Sequence, residues 1–243
     1  MSGVYLPTSG IVSPLPEVPD FALDPAGATA ELHPDLEPFL AEGPLGPMIS
    51  HPLVVELIAL PQMYSRINAY YAMTRHQIEK ALAEQKWSQA VFLHERPWRA
   101  EALEVLSERI TDDTQWWELV SSVWSDTENV WQCTDLWDRI LDTSRPGHEA
   151  MMDAEERTQF AALPETLRVY RGIDADQGTR YGRSWTLDRD KAVWFATRFA
   201  PECSLLLTAT VERSDIIALL LGRGESEVLV NPADLTEVTE TLL

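Results

Sequence analysis

The sequence predicts an α+β fold, an N-terminal helical region packed on a β core, and three observations predict it. Ten of the sixteen prolines fall within residues 1–52, an apolar period suited to helices runs from about Pro61 to Ala162, and beyond Pro164 the pattern shortens to that of strands. Apolar residues three to four apart mark helices; alternation and short apolar runs mark strands. With 243 residues and 45% apolar content, the chain can bury one good core, or one core and a small helical subdomain. The organisation expected is an irregular arm over 1–52 and a single domain over 53–243. The domain's helical part covers 53–163 and its β-rich part 164–243.

Each element has a local reason. Proline lacks an N–H and fixes φ, so the arm is expected to carry little regular structure and to serve as a solvated tail, or as a strap or docking segment. Tyr64, Ile67, Tyr71, Ile78 and Leu82 step down one helix face. Further helices are predicted near 97–110, 113–124, 126–141 and 153–162. Pro97 suits a first turn, and Ser125 with Glu128 and Asp153 with Glu156 have capping-box spacing. Trp117, Trp124 and Trp131 recur every seven residues, a period that reads as core. Strands are predicted over 166–171, 183–186, 204–212 and 226–231, with Ile216–Leu221 as a further one. Asp188 caps a helix over 188–199, whose Ala192, Phe195, Ala196 and Phe199 form an apolar stripe. Trp194 and Phe195 read as core rather than as a platform for a cofactor.

Three segments carry residue types that belong to chemistry. In Gly222-Arg223-Gly224-Glu225-Ser226-Glu227 a glycine turn opens an apolar strand, and a period of two sends Glu225 and Glu227 to the same side. Like charges on one strand face repel, so the pair invites a chemical explanation, with a solvated strand end as the plain alternative. In Leu167-Arg168-Val169-Tyr170-Arg171-Gly172, alternation carries Arg171 into the interior behind Leu167 and Val169. A guanidinium there grips an anion such as a diphosphate, or snorkels to water. In Ser184-Trp185-Thr186 two hydroxyls share a strand face.

In order and spacing, Arg171, Ser184-Trp185-Thr186 and Glu225-Ser226-Glu227 resemble the arginine-serine-glutamate class of mono-ADP-ribosyltransferases, over residues 165–232. The family's middle motif is usually Ser-Thr-Ser; here it reads Ser-Trp-Thr and lacks the central hydroxyl. The resemblance implies a two-sheet β core with a cleft between packed sheets. It implies NAD as substrate and no metal. Arg171, with its neighbours Tyr170 and Gly172, would bind the cofactor, Arg171 on the phosphates. Ser184 would brace the nicotinamide side and orient the catalytic glutamate, with Thr186 beside it. Glu227 would hold the nicotinamide ribose and stabilise the oxocarbenium-like cation left as nicotinamide departs. Glu225 would position an arginine acceptor, whose guanidinium must be held and partly deprotonated to attack. The partner implied is a protein target modified on arginine, and the chain reads as a cytoplasmic effector or toxin of a bacterium or phage. The alternatives are an NAD glycohydrolase using the same residues, and a non-catalytic acidic interaction protein with a vestigial NAD cleft.

Composition narrows the field. Residues 1–165 hold 10 Lys or Arg against 27 Asp or Glu, net −17, and residues 166–243 hold 9 against 12, net −3. So anionic a surface disfavours nucleic acid and favours basic partners. No apolar run approaches the roughly 18 residues of a membrane span, and no basic-then-apolar leader opens the chain, so a soluble, unexported protein is expected. Cys133 and Cys203 lack disulfide-framework or zinc spacing, which fits a reducing compartment. Gly222-Arg223-Gly224 lacks the third glycine of a dinucleotide fingerprint and precedes a strand; His94-Glu95 lacks the second histidine of a zinc-protease helix.

Overall fold

A computed structural model of the protein describes residues 4, 30–128, 130–174, 180–199 and 203–243. The chain forms an α+β structure of two compact units, Met1–Ile110 and Thr111–Leu243, so the helical stretch 53–163 is shared between them. Most of the arm, including 5–29, lies outside the described residues.

In the first unit, the irregular reading through residue 52 fails from residue 40 onward. Strands β1 (Leu40–Gly43), β2 (Gly46–His51) and β3 (Val54–Glu56) form an antiparallel sheet in that order. The prolines fit because Pro44 and Pro52 sit in the connections and Pro47 near the start of β2. Gly46, at φ 117°, closes the two-residue loop whose flanking partners are Gly43 and Gly46. Helix α1 (Tyr64–Ala83) then buries Ile67, Tyr71, Ile78 and Leu82, as its period requires; α2 (Trp87–Phe92) and α3 (Arg99–Leu106) follow.

His51 ties this unit together. Its ring meets Phe39 and Tyr71 edge-on, at 4.6 and 5.1 Å between centroids, and its Nδ1 accepts from the Leu53 N–H at 3.0 Å. Burial pushes its pKa down to about 4, and the nearby Asp35 carboxylate only partly opposes this. The folded imidazole therefore stays neutral where the unfolded one, near 6.5, takes up a proton. The stability this neutral ring lends is fully present above pH 6.5 and is lost as pH falls toward 4, by about 3 kcal/mol at pH 4. Urea midpoints measured across that window in the wild type and in His51→Gln check this. The variant should lose less stability than the wild type between pH 7 and pH 4, and equal losses would refute the assignment.

The second unit opens with α4 (Asp113–Asp126), α5 (Thr134–Leu141) and α6 (Ala154–Ala162). Asp112 caps α4, accepting from the Gln115 N–H, and Asp153 with Glu156 completes the capping box of α6. The Ser125–Glu128 spacing starts no helix: α4 runs through Asp126, and α5 begins only at Thr134. Trp117 and Trp124 are core, but Trp131 is 50% exposed, because the chain leaves α4 before the seven-residue step is complete.

Strands β4 (Thr166–Asp174), β5 (Ser184–Thr186), β6 (Ser204–Glu212), β7 (Ile216–Leu220), β8 (Glu227–Val230) and β9 (Thr236–Leu242) form one antiparallel sheet, ordered β7-β8-β5-β4-β6-β9. The pair of sheets expected of residues 164–243 is thus a single hydrogen-bonded sheet. Its centre is narrow, however. β4 and β6 share nine register pairs, whereas β4 and β5 share one, Tyr170 with Thr186. Helix α7 (Arg189–Thr197) follows β5, capped by Asp188, which accepts from the N–H groups of Asp190 and Lys191. It buries Ala192 and Ala196, but Trp194 is 52% and Phe199 81% exposed, so these two aromatics are not core. Among the described residues, no helix is long and apolar enough to cross a membrane.

Candidate functional site

The site lies in the second unit, where the sheet is narrowest. β8 is buried along its whole length, which brings Glu227 into the interior at 8% exposure, in register with Thr186 of β5 and Leu220 of β7. A carboxylate taken out of water must be met by donors. The Ser184 hydroxyl donates to Glu227 Oε1, and the Trp124 indole N–H donates to the same oxygen at 3.2 Å.

Arg171 reaches this group through Ser184. Its Nη1 donates to the Ser184 carbonyl at 2.7 Å, so one serine accepts from the guanidinium with its backbone and donates to Glu227 with its side chain. Burial lowers the Arg171 pKa to about 10, and the Glu227 charge raises it, so the guanidinium stays protonated at neutral pH. Gly182 makes room for it: a Cβ there would stand 2.7 Å from Nη2 and 2.9 Å from Cζ. Trp185, on the opposite strand face from the hydroxyls, fixes that glycine by donating from its indole to the Gly182 carbonyl at 2.8 Å. The start of β5 is held by Arg183, 5% exposed, whose Nε pairs with Asp138 within α5 at 2.5 Å and whose Nη2 pairs with Asp142, just after that helix, at 2.6 Å.

No protein-family model, curated protein or solved structure matches this chain.

Glu225 and Glu227 do not share a strand face. β8 begins only at Glu227; Glu225 has αR-like dihedrals (φ −101°, ψ −13°) and Ser226 is left-handed at φ 44°. The irregular backbone of the Gly222–Gly224 turn, whose Gly224 is at φ 63°, therefore continues through Ser226, and period-two reasoning does not apply across it. Thr186 fixes this turn. Its hydroxyl donates to the Glu225 carbonyl at 2.6 Å and accepts from the Asp188 N–H at 3.0 Å, while Leu187 N–H bonds the Ser226 carbonyl. The Thr186 hydroxyl is thereby committed to the backbone of the loop that presents Glu227.

Gly172 has a packing reason of its own. A Cβ on it would fall 1.7 Å from the Ala192 carbonyl oxygen and 2.8 Å from the Ala196 nitrogen, so α7 lies directly on the β4 backbone. Tyr170 stands at the one register pair that joins β4 to β5 among the described residues and is half-buried. Sequence reasoning missed Trp124, Gly182 and the Arg183–Asp138–Asp142 group. Trp124 gave a core signal alone, and the two aspartates lie over forty residues from their arginine. Gly182, two residues before Ser184, was the one visible clue. Among the described residues, no group of three or more His, Cys, Asp or Glu is placed to hold a metal ion.

Proposed function

We propose that the chain is an NAD-dependent mono-ADP-ribosyltransferase that releases nicotinamide and transfers ADP-ribose to a protein, with arginine as the acceptor. The observation that carries this reading is the relay through Ser184: a buried cation on its carbonyl and a buried carboxylate on its hydroxyl. NAD offers a partner for each, a diphosphate for Arg171 and a developing ribosyl cation for Glu227. Departure of nicotinamide breaks the C1'–N bond with its electron pair. The positive charge then left on the ribose is stabilised by the Glu227 anion, and the acceptor nitrogen closes the new bond as it loses a proton. The proton is taken by a carboxylate, the role proposed for Glu225.

Incubation of the protein with NAD labelled in its ADP-ribose part, alone and with a host-cell protein extract, tests the reading. Nicotinamide release matched by label on protein, removable by hydroxylamine as expected of an arginine linkage, is the expected result. Nicotinamide in large excess over label would make the protein a glycohydrolase. Neither product would leave the acidic interaction protein as the surviving reading.

A further inference from the structure

We infer that Trp124 is a positioning residue for Glu227, fixing the carboxylate through a charge-assisted bond from a rigid indole. This rests on the proposed reading of Glu227 as the residue that meets the ribosyl cation. A buried indole N–H usually finds an acceptor, and Trp117 and Trp185 give theirs to the backbone carbonyls of Pro146 and Gly182. Trp124, near the end of α4, gives its own to a side-chain carboxylate 103 positions away.

Two properties make that donor unlike Ser184. A hydroxyl rotates about its C–O bond and follows the acceptor, whereas an indole N–H points where its ring plane points. That plane is fixed: Trp124 is 1% exposed and packs edge-on against the fully buried Trp137, with centroids 4.9 Å apart and planes at 77°. The last torsion of a glutamate is broad and roughly two-fold, so the backbone of β8 alone does not set the carboxylate plane. Two donors on Oε1, one of them rigid, do set it. A carboxylate that must face a cation forming at one carbon gains most from such preorganisation.

Trp116 supplies the matched control. It lies on the same helix, it is 2% exposed, and its own Nε1 is buried with no hydrogen-bond partner among the described residues. Trp124→Phe and Trp116→Phe therefore each trim a buried indole of α4, but only the first removes a donor from Glu227. We expect Trp124→Phe to lower kcat for nicotinamide release about 10- to 100-fold with the KM for NAD within about twofold. Trp116→Phe should lose comparable thermal stability and keep kcat within about threefold of wild type. Equal kcat losses in the two variants, or an unchanged kcat in Trp124→Phe, would overturn the inference. A second readout needs no turnover. The Trp124 indole N–H resonance, assigned by its disappearance in Trp124→Phe, should move in Glu227→Gln as the acceptor loses its charge. A resonance that stays in place overturns the contact. A resonance that moves in a protein that does not turn over NAD upholds the contact and refutes only the proposed function.

Discussion

Glu227→Gln is expected to lower NAD turnover by about 10²- to 10³-fold with the fold intact. Glutamine keeps an acceptor oxygen in the Oε1 position, so the bonds from Ser184 and Trp124 persist and β8 keeps its register with β5 and β7. The substitution removes the negative charge and turns the second carboxylate oxygen into an amide donor, and that charge is what the proposed ribosyl cation requires. The magnitude follows from electrostatics in a water-poor setting: Glu227 is 8% exposed, so its field is weakly screened. Nicotinamide release measured beside thermal unfolding separates the two effects. Wild-type turnover in the variant would remove Glu227 from the chemistry, and collapse of the fold would show that the charge is structural.

Gly172→Ala is the substitution expected to harm the fold most. The new methyl would stand 1.7 Å from the Ala192 carbonyl oxygen, and the next obstacles, Ala192 C and Ala196 N at 2.7 and 2.8 Å, are backbone too. No rotamer change relieves this; α7 must lift from β4, exposing the faces of Ala192 and Ala196 now at 0% and 1%. Overpacking of this kind costs about 3 kcal/mol or more, which for a unit of this size lowers Tm by roughly 10 °C. Ala192→Gly in the same background should not rescue it, since the obstructing atom is a carbonyl oxygen that glycine retains. A Gly172→Ala protein melting with the wild type would show that α7 is not seated on β4 as described.

Much of the fold was legible wherever a local rule acts alone. The Asp153–Glu156 box and the Asp188 cap start α6 and α7 where the sequence places them, and β6 coincides with the apolar run 204–212. What stayed hidden depends on partners far along the chain. β9 is exposed over its whole length, so the apolar alternation that reveals a strand is missing from it. β1 and β2 were masked by prolines that turn out to sit at their ends. In the site, hydrogen bonds join Arg171 to Ser184 and Ser184 to Glu227, and Thr186 pairs in register with Glu227, whereas the same-face argument for Glu225 failed because Ser226 adopts a left-handed φ that no rule predicts for serine. The seven-residue tryptophan spacing marked Trp124 as core, which it is, but carries no trace of the carboxylate its indole meets.

The single Tyr170–Thr186 pair gives the sheet a mechanical character that its strand order conceals. Strands β7, β8 and β5 form one plate, β4, β6 and β9 another, and each plate is laddered internally. Ser184 and Glu227 ride on the first plate and Arg171 on the second. Between the plates run the Tyr170–Thr186 register pair, the Arg171–Ser184 bond and α7, which follows β5 and lies on the β4 backbone at Gly172. Under the proposed function, a ligand held at once by Arg171 and Glu227 would bridge the two plates at the seam where the sheet has its fewest register pairs.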